Sequence, residues 1–229
     1  MKIYKLLLLT ILGIFPLLGL SQPSVSSGVL PKLSLSYKLP KGFKVAHGLE
    51  SRQSFYTKSH NAQGVFKHTN VLTDFATTLT KATGSRSSFG IGYTLRVRDG
   101  ELYHRIAQQF AWTKKYETFR LGNRIALDQT FGPENSIQLR ARYRASVELP
   151  LSGSRVDPNE FYLKLSNEYL GITNNNGSND LEIRLAPLLG YELSSKSKFE
   201  FGFDSRLSKL FEENSSLSIW VNIGFFTSL

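Results

Sequence analysis

The sequence predicts an all-β fold, an antiparallel up-and-down transmembrane β-barrel of 10–12 strands. The first observation behind this is the segment from Ile137 to Leu149. Read as a strand, it places Ile137, Leu139, Ala141, Tyr143, Ala145, Val147 and Leu149 on one face and Gln138, Arg140, Arg142, Arg144, Ser146 and Glu148 on the other. A strand tilted across a bilayer needs about 9–11 residues, apolar toward lipid and polar toward the lumen. The second observation is that this alternation recurs along the chain at intervals of roughly 18–20 residues, with turn chemistry between the repeats. The third is the N-terminus. Lys2 and Lys5 precede an apolar run from Leu6 to Leu20 that ends in Gly19-Leu20-Ser21, which reads as a signal peptide of residues 1–21 and is short for a membrane helix. A soluble sandwich explains the alternation but not the three observations together.

Cleavage after Ser21 leaves Gln22 first and residues 22–229 as one barrel domain, and loss of Lys2 and Lys5 lowers the formal charge from +10 to +8. The chain has no cysteine, which excludes disulfides, thiolate metal sites and a lipoprotein anchor. No later apolar run approaches 20 residues, so a helical membrane protein is excluded, whereas alternation dilutes the hydropathy of a barrel.

The elements follow in order. Leu33, Leu35, Tyr37 and Leu39 alternate with Ser34, Ser36 and Lys38 before the turn Pro40-Lys41-Gly42. Phe43 to Phe55 carries Lys44, Ala46, Gly48, Glu50 and Arg52 on its polar side, and Thr57 to Asn70, with His60 and His68, reads as a surface loop. Val71 to Lys81 is a weaker strand, with Thr73 and Thr77 among Phe75 and Leu79. Phe89, Ile91, Tyr93, Leu95 and Val97 face away from Gly90, Gly92, Thr94, Arg96 and Arg98, and Asp99-Gly100 is a strong hairpin signal.

From Leu102 to Trp112, Ile106, Phe110 and Trp112 point outward and Tyr103, Arg105, Ala107 and Gln109 inward. Phe119, Leu121, Ile125 and Leu127 alternate with Arg120, Gly122, Arg124 and Asp128, and the loop Phe131 to Asn135 leads into the arginine strand. After the polar connection Ser152 to Asn159, Phe161, Leu163, Leu165 and Tyr169 oppose Lys164, Ser166 and Glu168. Asn174 to Asp180 is a loop by composition. Leu181, Ile183, Leu185, Leu189 and Tyr191 then oppose Glu182, Arg184, Ala186, Gly190 and Glu192, and Pro187 within that run predicts a bulge. Phe199, Phe201, Phe203 and Leu207 alternate with Glu200, Gly202, Asp204 and Arg206, and Leu217, Ile219, Val221, Ile223 and Phe225 form the last strand. Eleven segments result. Bacterial single-chain barrels have an even number, so either Val71 to Lys81 or the first segment fails to span, or one strand is hidden.

The motifs His104-Arg105-Ile106 with Gln108-Gln109, Arg140-Ala141-Arg142-Tyr143-Arg144 running into Val147-Glu148-Leu149-Pro150, and Asn167-Glu168 resemble the family called domain of unknown function 2490. The resemblance covers roughly Leu33 to Leu229. It implies an outer-membrane β-barrel without an assigned activity, and it carries over no catalytic residue. The last residue is Leu229 where an aromatic is usual, so recognition by the barrel-assembly machinery would lean on Phe225 and Ile223.

The inward positions collect a basic set, Arg52, Arg96, Arg105, Arg120, Arg124, Arg140, Arg142, Arg144, Arg184 and Arg206, with Lys38, Lys44, Arg98 and Lys164 beside them. The acidic set is Glu50, Glu148, Glu168, Glu182, Glu192, Glu200 and Asp204, with Asp74 and Asp128. Two readings follow. Arg and Glu ladders would fill a closed interior. Alternatively, the basic excess would make a narrow anion-selective pore, with Arg140, Arg142 and Arg144 as its track for a small anionic solute.

A third reading, an outer-leaflet lipid hydrolase, needs Ser, His and a carboxylate or amide to converge. His104 and Gln108 share an outward face without a neighbouring Ser, and His47 lies about 13 Å from Ser51 along one strand. The sequence therefore predicts no enzyme, no catalytic residue, no metal and no cofactor. Tyr37, Tyr93, Trp112, Tyr143 and Tyr169 suit interfacial belts, while Trp220 turns inward beside Asn222 and would help plug the lumen. The expected partners are membrane lipid and lipopolysaccharide, not nucleic acid, for a monomer in the bacterial outer membrane.

Overall fold

The computed structural model describes residues 24–60, 62–212 and 215–229. The expected signal peptide and its cleavage point lie outside the described residues. Eleven strands occupy the described chain: β1 (Ser24–Lys38), β2 (Phe43–Lys58), β3 (Val65–Ala82), β4 (Ser87–Arg98), β5 (Glu101–Lys115), β6 (Arg120–Phe131), β7 (Ile137–Pro150), β8 (Glu160–Asn174), β9 (Asn179–Ser194), β10 (Ser197–Ser208) and β11 (Ser216–Ser228). Each pairs antiparallel with the next, and β1 pairs with β11 to close the barrel. No described helix is long and apolar enough to cross a membrane.

The closing seam departs from the sequence expectation. β1 and β11 run parallel, in register from Ser24↔Ser216 to Ser36↔Ser228, because an odd number of alternating strands brings the first and last together pointing the same way. The count of eleven is thus a real odd number. Val71 to Lys81, a doubtful span in the sequence, lies inside the 18-residue β3, and from Thr73 to Lys81 it pairs without a break with both neighbours. The first segment also reaches further back than Leu33, since β1 begins at Ser24. Consequently Ser24 and the end of β11 sit at opposite rims, here called the N-terminal and C-terminal rims.

The turns follow their residues. Asp99 and Gly100 have φ of 53° and 81°, both in the left-handed region that a two-residue hairpin requires. Gly42 closes the β1–β2 turn at φ 77° behind Lys41 at 59°. The connection expected over Thr57 to Asn70 is much shorter. β2 continues to Lys58 and β3 begins at Val65, and His68 is a strand residue stacked on Phe55 with ring centroids 5.4 Å apart.

The bulge expected at Pro187 is also absent. The β8–β9 ladder runs through Leu165↔Pro187 without a shift. Instead the β9–β10 ladder is interrupted, with no partners for Phe203 and Asp204 between Gly202↔Leu188 and Ser205↔Leu185. Proline has no N–H to donate, and Gly202 lets β10 approach so closely that a Cβ there would collide with the Pro187 carbonyl oxygen. Pro31 interrupts the β1–β2 ladder likewise, between Val29↔Gln53 and Lys32↔Glu50.

Alternation then sorts the side chains. Leu127, Leu139, Phe161, Phe201 and Phe203 are exposed on the outer wall, while Asp128, Glu168, Glu200, Arg140 and Arg206 are buried inside.

Candidate functional site

The charged interior is the candidate site, and strand register decides which charges meet. β6 and β7 place Asp128 opposite Arg140. Asp128, 1% exposed, binds Arg140 Nη2 at 3.0 Å and Arg142 Nη2 at 2.8 Å through separate oxygens. One layer on, β7 and β8 set Arg144 opposite Glu168, and β8 and β9 set Glu168 opposite Arg184. Glu168 Oε1 accepts from Arg124 at 3.0 Å, and Oε2 accepts from Arg144 at 3.0 Å and Arg184 at 3.3 Å. Arg142 approaches the same carboxylate to 3.9 Å. Four arginines from three strands thus surround one buried acid and balance its charge.

The remaining expected residues pair around this centre. Asp74 grips Arg96 with two 2.7 Å hydrogen bonds. Arg105 donates Nε to Thr130 at 3.2 Å and stands 4.0 Å from Asp74. Arg206 binds Asp204 at 2.7 Å, Arg184 also binds Glu182, and Glu50 lies 3.7 Å from Arg52. Arg120 meets Glu148 at 2.7 Å with its side chain 47% exposed, at the barrel's edge. Glu192 lies half-buried in register with Glu160 and Lys198.

Near the C-terminal rim, Glu200 accepts from Tyr162 Oη at 2.8 Å, from Lys164 Nζ at 2.9 Å to each oxygen, and from Lys198 Nζ at 3.0 Å. Gly190, opposite Tyr162, makes room for its ring, since a Cβ there would overlap it. Trp220 is buried at 3% exposure with the Arg52 guanidinium 5.4 Å from its ring centroid.

Several participants were not anticipated. Lys32 lies 3.4 Å from Glu50 and 3.8 Å from Asp204, and Lys198 and Tyr162 join Glu200. Lys32 and Lys198 lie just before the segments read from their strands and Tyr162 lies inside one, between Phe161 and Leu163, so extending each inward set by one position toward the N-terminus finds all three. Leu30, Leu72, Leu170 and Leu188 are buried among the inward positions and add apolar filling that a search for charges passes over.

Polar side chains on the outer wall are paired among themselves. His47 lies between Tyr37 Oη at 3.1 Å and Thr77 Oγ1 at 3.0 Å, and His104 shares a 2.7 Å hydrogen bond with Tyr93 Oη. Gln108 and Gln129 exchange two amide hydrogen bonds of 3.2 and 3.3 Å. Ser51 bonds with Thr73 and Gln53.

These features define a closed β-barrel with an ion-paired, charged interior. A model of the family described as protein of unknown function (DUF2490) matches residues 28–214. The chain belongs to that family, and the match ends just before β11. Neither a curated protein nor a solved structure matches the chain.

Proposed function

We propose that this is an outer-membrane β-barrel protein whose interior is a closed, ion-paired filling at rest, with a structural role. The observation that carries this reading is inverted polarity. Phe201, Phe203, Leu127 and Leu139 are each about half exposed on the outside, while Asp128, Glu168 and Glu200 are at most 2% exposed within. Monomeric soluble proteins rarely expose contiguous apolar surface beyond a few hundred Å², whereas a barrel in lipid presents an apolar band outward. In this reading the outer wall meets membrane lipid and lipopolysaccharide, the barrel-assembly machinery inserts the chain, and the folded protein is a monomer.

The arginines of β7 do not supply a free anion track, because Arg140, Arg142 and Arg144 are bound to Asp128 and Glu168. The refolded protein is therefore expected to leave a planar bilayer silent at neutral pH. Discrete anion-selective steps that disappear in the Arg140→Ala, Arg142→Ala, Arg144→Ala triple variant would replace this reading with the pore.

The parallel seam makes a sharper prediction about the membrane. Epitope tags placed ahead of Ser24 and after Leu229 sit at opposite rims, so protease added to intact cells is expected to remove one and spare the other. Removal of both, or of neither, would contradict an eleven-strand barrel spanning the membrane.

A further inference from the structure

We propose that the N-terminal rim holds a binding pocket for a small hydroxylated anion, a sugar acid or sugar phosphate of about one ring. A cavity of about 190 Å³ opens there between the ends of β4 to β8, lined chiefly by Arg96, Arg98, Tyr103, Gln138, Asn174 and Asn175. Its size lies below the roughly 300 Å³ at which pockets for drug-sized ligands begin, which sets the limit of one ring.

The charge around this cavity is not balanced from within. Arg96 is held by Asp74 through both oxygens, and that is the nearest inward acid. Arg98 pairs, among the described residues, with Asp99, whose side chain is 71% exposed at the hairpin tip, and such a pair is weak in water. Beneath lies Arg105, 9% exposed, whose Nε is taken by the lining residue Thr130 and whose Nη2 has no hydrogen-bond partner among the described residues. The next acid inward, Asp128, is already shared by Arg140 and Arg142. An oxyanion in the cavity would gain charge-assisted hydrogen bonds from Arg98, while Arg105, which lies below the lining, would add its charge from beneath.

The rest of the lining suits hydroxyl groups. Gln138 donates to Asn174 Oδ1 at 3.0 Å, and Asn175 donates to the Asn135 carbonyl at 2.9 Å. The amides are thus fixed before any ligand arrives, which lowers the ordering cost of binding. Tyr103 supplies an aromatic face. Near the opposite rim Tyr162, Lys164 and Lys198 instead converge on Glu200, so the basic side chains there already hold an acid. The pocket goes beyond the proposed function, and its occupancy does not depend on whether the barrel conducts.

The test is calorimetric titration of the full chain, refolded in detergent, with glucuronate, glucose 6-phosphate and neutral glucose. At least one anion is expected to bind and glucose not. Binding should weaken about tenfold or more in Arg98→Gln, the loss of one charge-assisted contact, and in Arg105→Gln, and it should fall with added salt. Lys41→Gln, at the opposite rim, should bind like the parent. Arg98 is half exposed, so its variant folds and carries the test even where Arg105→Gln does not. Absence of binding by both anions at millimolar concentration, equal binding of glucose, parent-like affinity in Arg98→Gln, or an equal loss in Lys41→Gln would each overturn the pocket.

Discussion

Glu168→Ala is expected to destabilise the folded barrel by about 3–5 kcal/mol, the scale set by removing one partner from a buried ionic cluster. The substitution leaves Arg124, Arg144 and Arg184 without the carboxylate they touch at 3.0 to 3.3 Å; Arg184 keeps Glu182, but Asp128, two strands away, is already taken by Arg140 and Arg142. Arg124, Arg142, Arg144 and Arg184 would then face one another without the acid that lies between them. Urea titration of the refolded protein, followed by the shift of its folded band on an unheated gel, measures the effect. Arg124→Ala should cost much less, because Glu168 keeps three partners. A Glu168→Ala protein as resistant as the parent would mean that the apolar filling around Leu30, Leu72, Leu170 and Leu188, not the ion pairs, keeps the interior closed.

Gly28→Val is expected to prevent closure at the β1–β2 junction. A Cβ on residue 28 would strike the Gln53 carbonyl oxygen and come within 2.8 Å of the Ser54 Cα. Both obstacles are backbone, so no rotamer change relieves them, and the cost should reach or exceed the upper end of the usual range of about 1–3 kcal/mol for overpacking. The position also coincides with the register shift between Ser27 and Gly28, and β1 carries the seam with β11. The yield of folded protein in a refolding assay should collapse, whereas Gly171→Val, whose Cβ meets open space, should refold like the parent.

The contrast between those two glycines shows what the sequence could and could not convey. Strand identity was legible where one face is apolar and the other charged, as in Ile137–Pro150, and the Asp99-Gly100 turn was legible because few residue pairs accept two positive φ angles. Strand ends were not. Val65 to Asn70 are all exposed in β3, and where both faces meet solvent the alternation loses its sign, so the polar residues there read as loop. The part of β1 before Leu33 also went unread; it contains Pro31, where the β1–β2 ladder is interrupted although the strand continues.

Inward charges were legible from their parity, but their partners were not. Arg124 meets Glu168 from two strands away, a relation fixed by register in three dimensions. For the same reason the arginines of β7 resembled a continuous positive track in the sequence, although Asp128 and Glu168 hold them one by one. The pairing of β1 with β11 left no local trace, because ordinary alternating strands form both sides of the seam.

That seam limits how such a wall can arise and be rearranged. Hairpins contribute strands two at a time, so five of them make a ten-strand wall and the eleventh strand must be inserted singly. Circular permutation meets the same arithmetic, because a linker joining residue 229 to residue 24 would have to travel the full height of the barrel. A strand of 15 residues, the length of β1, spans roughly 50 Å when extended, so no short peptide can connect the two ends. Fusions made at the two ends would likewise emerge at opposite rims, which gives this chain an end-to-end direction that an even-stranded barrel lacks.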